Sequence, residues 1–390
     1  HRKQAGFAAW VLHVGTAAVW IYAGVCALWG TQYYAPSFAA QANMQAPALS
    51  VEQLAATTVW FAEQVNAAQQ EALDHGMTLG LMQDMAVGVH GLGADAWANP
   101  ERFASGGVTV GCPPDFYNQQ GQDWGQPPFN PRYLEATGYQ VYREMVHSMY
   151  EHAGAVRIDH VLGLFRLWWI PQGLGARNGA YVTYNHEAML GVLAIEATRA
   201  GGMVVGEDLG TVPDYVRRIL ADHGVLGTDV EWFNRVDDSP NAGDPYRAPK
   251  DYRKQALASV TTHDLPPTAG YLNFAHVKLR EELHLLSEPV EAFAASAMAE
   301  RTAMMNRLVE NGYISQTVAD DVEGHVQEIV EAMHAMLTDT PSLLLQAALV
   351  DGVGECRSQN QPGTSREYSN WRVPLADSSG HVVHTDEVFA

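Results

Sequence analysis

Basic residues are scarce in this chain. Lysine and arginine number 23 against 44 aspartates and glutamates, a formal net charge of −21. That balance argues against nucleic acid as a partner, because its binders carry basic patches that replace counterions. Cysteine is scarcer still. Cys26, Cys112 and Cys356 lie far apart with no metal-ligand spacing, and an odd, sparse count reads as reduced thiols in a cytoplasmic protein. No His-x-His or His-Glu-x-x-His occurs, so no metal is expected. Gly91-Leu92-Gly93 lacks the rest of a dinucleotide fingerprint, and no Gly-x-Ser-x-Gly elbow is present for acyl chemistry. No organic cofactor is expected either. There is no initial Met and no charged segment followed by a cleavage site. We therefore read no signal peptide and expect the C-terminal part of something longer.

Apolar residues make up 47% of the 390 residues, so the chain is globular. Phe7 to Gly30 is almost wholly apolar and long enough to span a bilayer. No Lys or Arg cluster follows it, and the preferred reading is a buried helix, or a strand over Ala18 to Val25.

Short apolar runs alternate with helical patterns, which predicts α/β with a parallel sheet. Ser50 and Gln53 form a capping box, with Gly76 as the stop. A strand over Thr78 to Asp84 precedes a Gly/Pro/Asn-rich loop from Gly88 to Pro131. Helices are expected over Gly138–His152 and His186–Ala200, and another opened by Thr211-Val212-Pro213-Asp214. Strands are expected over Asp229–Phe233, Leu257–Thr262 and Leu343–Val350, and helices over Ala275–Leu337 with breaks at Gly312 and Gly324. About six strands result, where a closed barrel needs eight.

Three acids end strand-like runs: Asp159 after Ala155-Val156-Arg157-Ile158, Glu207 after Met203-Val204-Val205-Gly206, and Asp264 after Val260-Thr261-Thr262-His263. At strand C-termini of a β/α barrel such groups share one mouth. Three carboxylates there suit glycoside chemistry, as nucleophile, acid/base and charge stabiliser. Arg157, two residues before Asp159, is expected to lower its pKa and keep it ionised. Gly206 could admit a close substrate, and Asp208 could cap the turn at Leu209-Gly210. His263 could donate hydrogen bonds to sugar hydroxyls. The loop from Val110 to Gly125 combines Asp115, Phe116, Gln122 and Trp124, a mixture suited to packing on sugar rings and reading hydroxyls. Phe165 to Ile170, with Trp168 and Trp169, reads mostly as core.

These residues resemble the amylomaltases, bacterial 4-α-glucanotransferases, and their longer actinobacterial-type branch. The resemblance runs through Gln83-Asp84-Met85-Ala86-Val87-Gly88, Gly93-Ala94-Asp95-Ala96-Trp97, Pro113-Pro114-Asp115, Gly121-Gln122-Asp123-Trp124, Arg157-Ile158-Asp159-His160, Gly206-Glu207-Asp208-Leu209-Gly210 and Thr262-His263-Asp264-Leu265-Pro266. Asn360-Gln361-Pro362-Gly363-Thr364 and Asn370-Trp371-Arg372 extend it. It implies a (β/α)₈ barrel with helical insertions, here lacking its first two strands. It divides the chain into a flanking segment (1–50), barrel strands with active-site loops (51–271), a helical insertion (272–338) and the last strand with a C-terminal segment (339–390).

The resemblance also implies a retaining double displacement on α-1,4-glucans. Asp159 is the nucleophile, Glu207 the acid/base and Asp264 the stabiliser, with the first two carboxyls about 5–5.5 Å apart. Asp84, Arg157 and His263 line the donor-sugar subsite, and the Pro113–Gly125 loop borders the cleft. Maltodextrins are the implied donors and acceptors. Two other readings stand beside this one: an α-glucan hydrolase with the same carboxylates, and a maltodextrin-binding fragment without turnover.

Overall fold

The computed structural model describes residues 51–384 and 387, apart from 94, 97–98, 105, 115–119, 240 and 365. Ser50, the apolar run Phe7–Gly30, Cys26, Asp115 and Phe116 lie outside the described residues. Among the described residues, no helix is long and apolar enough to cross a membrane.

Helix α1 (Val51–Asp74) leads through Gly76, at φ +87°, to strand β1 (Met82–Met85). A hairpin follows, β2 (Val108–Cys112) and β3 (Gln122–Gln126). Helices α2 (Pro131–Ala136) and α3 (Gln140–Tyr150) then precede β4 (Ala155–Ile158). Strands β5 (Arg166–Pro171) and β6 (Ala180–Thr183) come next, then α4 (His186–Ala200) and β7 (Met203–Gly206). The chain continues through α5 (Asp214–Asp222), β8 (Gly227–Val230) and β9 (Ala256–Ser259). Five helices follow, α6 (Thr268–Leu272), α7 (Ala275–Glu282), α8 (Val290–Glu310), α9 (Gln316–Asp320) and α10 (Val326–Leu337). Strand β10 (Leu344–Gln346) and the short α11 (Leu349–Gly352) come last.

Six strands run parallel in chain order, β1-β4-β7 and β8-β9-β10, joined by a parallel bridge between Val205 and Leu226. Alternate residues serve opposite faces. Val204 packs in the cluster that includes Val146 of α3, Leu193 of α4 and Val216 of α5, whereas Val205 meets Leu226 and Leu257. Asp84, Arg157 and Val205 are partners in register across three strands, so the Asp84 and Arg157 side chains lie side by side.

The glycine- and proline-rich segment was expected as a loop, but β2 and β3 pair there and extend through β5 and β6 into a four-stranded antiparallel sheet. Gly111 permits this pairing, since a Cβ there would lie 1.9 Å from the Gln122 carbonyl. The helix after Thr211 starts at Asp214 with Pro213 at its N-cap and no side-chain cap. Strand β9 ends at Ser259 rather than Thr262. Thr261 Oγ donates to the Pro266 carbonyl and Asp264 N–H to Thr262 Oγ, turning the chain out of the ladder.

Two ion pairs, one fully buried and one partly, dock α8 on the segment after β8. Arg307 meets Glu231, which is fully buried and also accepts from Tyr252 Oη, while Arg235 meets Glu300 at 3.2 Å. Removing one partner strands a charge in the interior. Arg307→Ala should therefore destabilise the chain by about 3–5 kcal/mol in denaturant unfolding, with the double change Arg307→Met and Glu231→Gln recovering most of it.

Candidate active site

The C-terminal ends of the parallel strands converge on a group of acids around one guanidinium. Arg157 Nη1 donates to both Asp84 oxygens (2.6 and 2.8 Å) and to Asp159 Oδ1 (3.2 Å). Asp159 directly follows β4, and its N–H donates to the Met85 carbonyl. Glu207 directly follows β7, tied to β4 by Glu207 N–H to Ile158 carbonyl and Val161 N–H to Glu207 carbonyl. These extra ladder bonds fix the backbones of the two acids relative to each other.

The Glu207 carboxylate accepts from His160 N–H (3.0 Å, Oε2) and Leu209 N–H (2.8 Å, Oε1). Its pKa is nevertheless pushed up to about 7, first by burial and then by the Asp159 charge, against those two donors and Arg157. The Asp159 pKa is raised as well. Burial outweighs Arg157, whose closer contacts go to Asp84, and Asp84 and Asp264 add to the rise. This departs from the expectation that Arg157 would pull it down.

Asp264 sits in the turn after β9. His263 Nε2 lies 3.2 Å from Asp264 Oδ2, and Asn360 Nδ2 donates to Oδ1 at 2.6 Å. Burial works against its charge, but His263 and the Asn360 amide hold its pKa below the usual carboxylate range. The His263 pKa moves the opposite way: burial lowers it, and Asp264 more than reverses that. The site therefore holds a carboxyl poised near neutrality beside two others whose pKa values move in opposite directions, Asp159 up and Asp264 down.

Gly206 and Asp208 serve differently than expected. A Cβ at Gly206 would come within 2.9–3.1 Å of the Val161 side chain, so the glycine accommodates packing rather than a substrate. Asp208 is buried, accepts from Thr228 N–H, and pairs with Arg253 (2.5 and 3.1 Å). Glu207 itself takes the Leu209 N–H that Asp208 was expected to hold.

Trp124 Nε1 donates to Gln122 Oε1, and the Trp124 ring meets His160 edge-on at 5.2 Å. His160 adopts the left-handed conformation (φ +45°), and burial lowers its imidazole pKa to about 4. The structure thus brings together Asp84, Arg157, Asp159, Glu207, His263 and Asp264, with Gln122 and Trp124 joined through His160. Trp169 packs against the core, whereas the half-buried Trp168 donates to the Ala176 carbonyl. Asn360 and Trp371 enter the site unassigned by sequence reasoning, although both stand in motifs noted above. A cavity of about 40 Å³ lies behind Asp159 and His160. It has room for a water or two. Among the described residues, no group of three or more His, Cys, Asp or Glu could hold a metal ion.

A family model described as 4-alpha-glucanotransferase matches residues 25–379. The chain belongs to the 4-alpha-glucanotransferase family. It is 52% identical to the 4-alpha-glucanotransferase of Mycobacterium tuberculosis over 327 residues, covering 84% of this chain and 44% of that protein. The Haemophilus influenzae 4-alpha-glucanotransferase is 33% identical over 318 residues, 80% of this chain and 44% of that protein. The fold is similar to that of amylomaltase from Corynebacterium glutamicum, with a TM-score of 0.80 and 40% identity over 90% of this chain and 51% of that one. The chain thus spans about half the length of these family members.

Proposed function

We propose that this chain carries the catalytic carboxylates of a 4-α-glucanotransferase, moving α-1,4-glucan segments between maltodextrins by a retaining double displacement. The observation that carries the reading is Glu207, a carboxyl with its pKa near 7 whose backbone is bonded to Ile158 and Val161 on either side of Asp159 and which feels the Asp159 charge. A group protonated in the ground state near neutral pH, beside one that can ionise, is the division of labour that glycosyl transfer requires.

Asp159 attacks the anomeric carbon, and the bond to the leaving oxygen breaks as Glu207 protonates that oxygen. The glycosyl unit is then held as an ester on Asp159. Glu207, now ionised, takes the proton of an incoming sugar hydroxyl, whose oxygen displaces Asp159. Asp264, held anionic by His263 and Asn360, stabilises the oxocarbenium-like charge in both steps. Asp84, Arg157 and His263 bind the donor sugar, and the Gln122–Trp124 hairpin borders the cleft. The residues present supply nucleophile, acid/base and stabiliser without a cofactor.

We also read the six parallel strands as part of a (β/α)₈ barrel whose first two strands would complete the circle. Their sequential order, with β1 and β10 at the edges among the described residues, supports that reading. A cytoplasmic setting belongs to the same reading and rests on the sparse cysteines.

Arg157 bridges two carboxylates from one nitrogen, Nη1, and the shorter lysine side chain would not carry its ammonium as far as that point. Arg157→Lys should lower kcat with maltotriose by roughly 10²-fold, and a loss under threefold would remove the bridging role. Incubating the chain with maltotriose tests the function itself. Glucose together with a ladder of longer maltodextrins is expected. Glucose and maltose alone would favour the hydrolase, and binding without products would favour the maltodextrin-binding fragment.

A further inference from the structure

We propose that Trp371 is a stacking platform for a glucosyl ring, placed on the His263–Asp264 side of the cleft. This rests on the maltodextrin reading above and deepens it by assigning a binding residue. The indole lies 5.2 Å from the His263 ring, and Trp371 keeps 40% of its surface exposed. Its backbone is left-handed, at φ +61°. That conformation is costly for a bulky L-residue and persists only where the surroundings impose it, which happens most often at functional sites.

The surroundings here do impose it. Trp371 N–H donates to the Gln359 carbonyl at 2.8 Å and Arg372 N–H to the Ser369 carbonyl at 2.9 Å. Asn370 ties the loop together, accepting from Gln361 N–H and donating to Thr364 Oγ, each at 2.8 Å. Tyr368 Oη donates to the Ser358 carbonyl. The same loop supplies Asn360, which orients Asp264 at 2.6 Å. One braced segment therefore aims a carboxylate and holds a partly exposed indole beside it.

The chemistry of the cleft selects the ligand. Asp84, Asp159, Glu207 and Asp264 crowd around Arg157 and His263, so an anionic ligand is disfavoured. A neutral pyranose offers apolar C–H faces to an indole while its rim of hydroxyls meets His263 and Asp264.

Binding is measured calorimetrically with maltoheptaose in the chain carrying Asp159→Asn, so that bound sugar is not turned over. Adding Trp371→Ala should weaken binding by roughly tenfold, while Trp371→Phe should stay within about threefold of the reference. Sugar-induced change in indole fluorescence should shrink in both variants. Binding by Trp371→Ala within twofold of the reference would overturn the platform and leave the maltodextrin reading intact. Equal losses in Ala and Phe, with lowered unfolding midpoints, would assign Trp371 to propping the loop and also overturn it. A reference chain that is folded yet binds no maltoheptaose would overturn the maltodextrin reading, and the platform with it.

Discussion

Asp159→Asn is expected to lower transfer from maltotriose by roughly 10⁴-fold or more, about 5 kcal/mol of transition-state stabilisation. The amide fills the same space but is a far poorer nucleophile and carries no charge to meet the developing cation. The fold should survive. The Asp159 N–H still reaches Met85, Arg157 keeps both of its contacts to Asp84, and the replaced side chain is 37% exposed. Unfolding within about 1 kcal/mol of the parent is expected for a partly screened ion pair. Initial rates with maltotriose, read beside a denaturant curve, check both statements. A rate within tenfold of the parent would remove Asp159 as nucleophile.

Glu207→Gln should cost roughly 10²–10⁴-fold in turnover of maltotriose, because the leaving hydroxyl then receives no proton. A glycosyl fluoride, whose leaving group needs little acid, should be spared most of that loss in the first step. In the parent, activity should fall as pH rises through about 7, where Glu207 gives up its proton. It should also fall in acid, at a pH above the ordinary aspartate range, as Asp159 is protonated.

The same burial makes a stability prediction. Between its ordinary value of 4.5 and the folded value near 7, the native chain keeps a proton that the unfolded chain has released. Stability therefore falls across that window as pH rises. Glu207→Gln removes the penalty, so the variant should gain on the order of 2 kcal/mol at pH 8 and nothing at pH 4. Equal stability of variant and parent at pH 8 would mean that Glu207 carries no desolvation cost.

Much of this was legible in residue order. The helix expected over His186–Ala200 is α4 with the same bounds, and the structure caps it with Asn185 Oδ1 accepting from Ala188 N–H and Gly201 at φ +64°. Strands β4 and β7 were readable as apolar runs ending in acids. The antiparallel sheet was not, because β2 is held between β3 and the Trp168–Trp169 strand by pairing rather than by any local preference. The partner of Asp264 was hidden for a similar reason, since Asn360 stands 96 residues away and only the fold brings it near. The direction of the Asp159 shift was misjudged because residue order displays its neighbour Arg157 but not its burial. Chemistry carried by adjacent residues can be read from a chain, whereas chemistry set by burial and distant partners cannot.

The most direct test of the account is to trap the covalent intermediate. The Glu207→Gln chain is incubated with α-maltosyl fluoride, then digested and examined by mass spectrometry. Slow breakdown without the base should leave a maltosyl group on the peptide bearing Asp159. An unmodified Asp159 peptide from folded protein that consumes the fluoride, or an adduct on another residue, would contradict the double displacement.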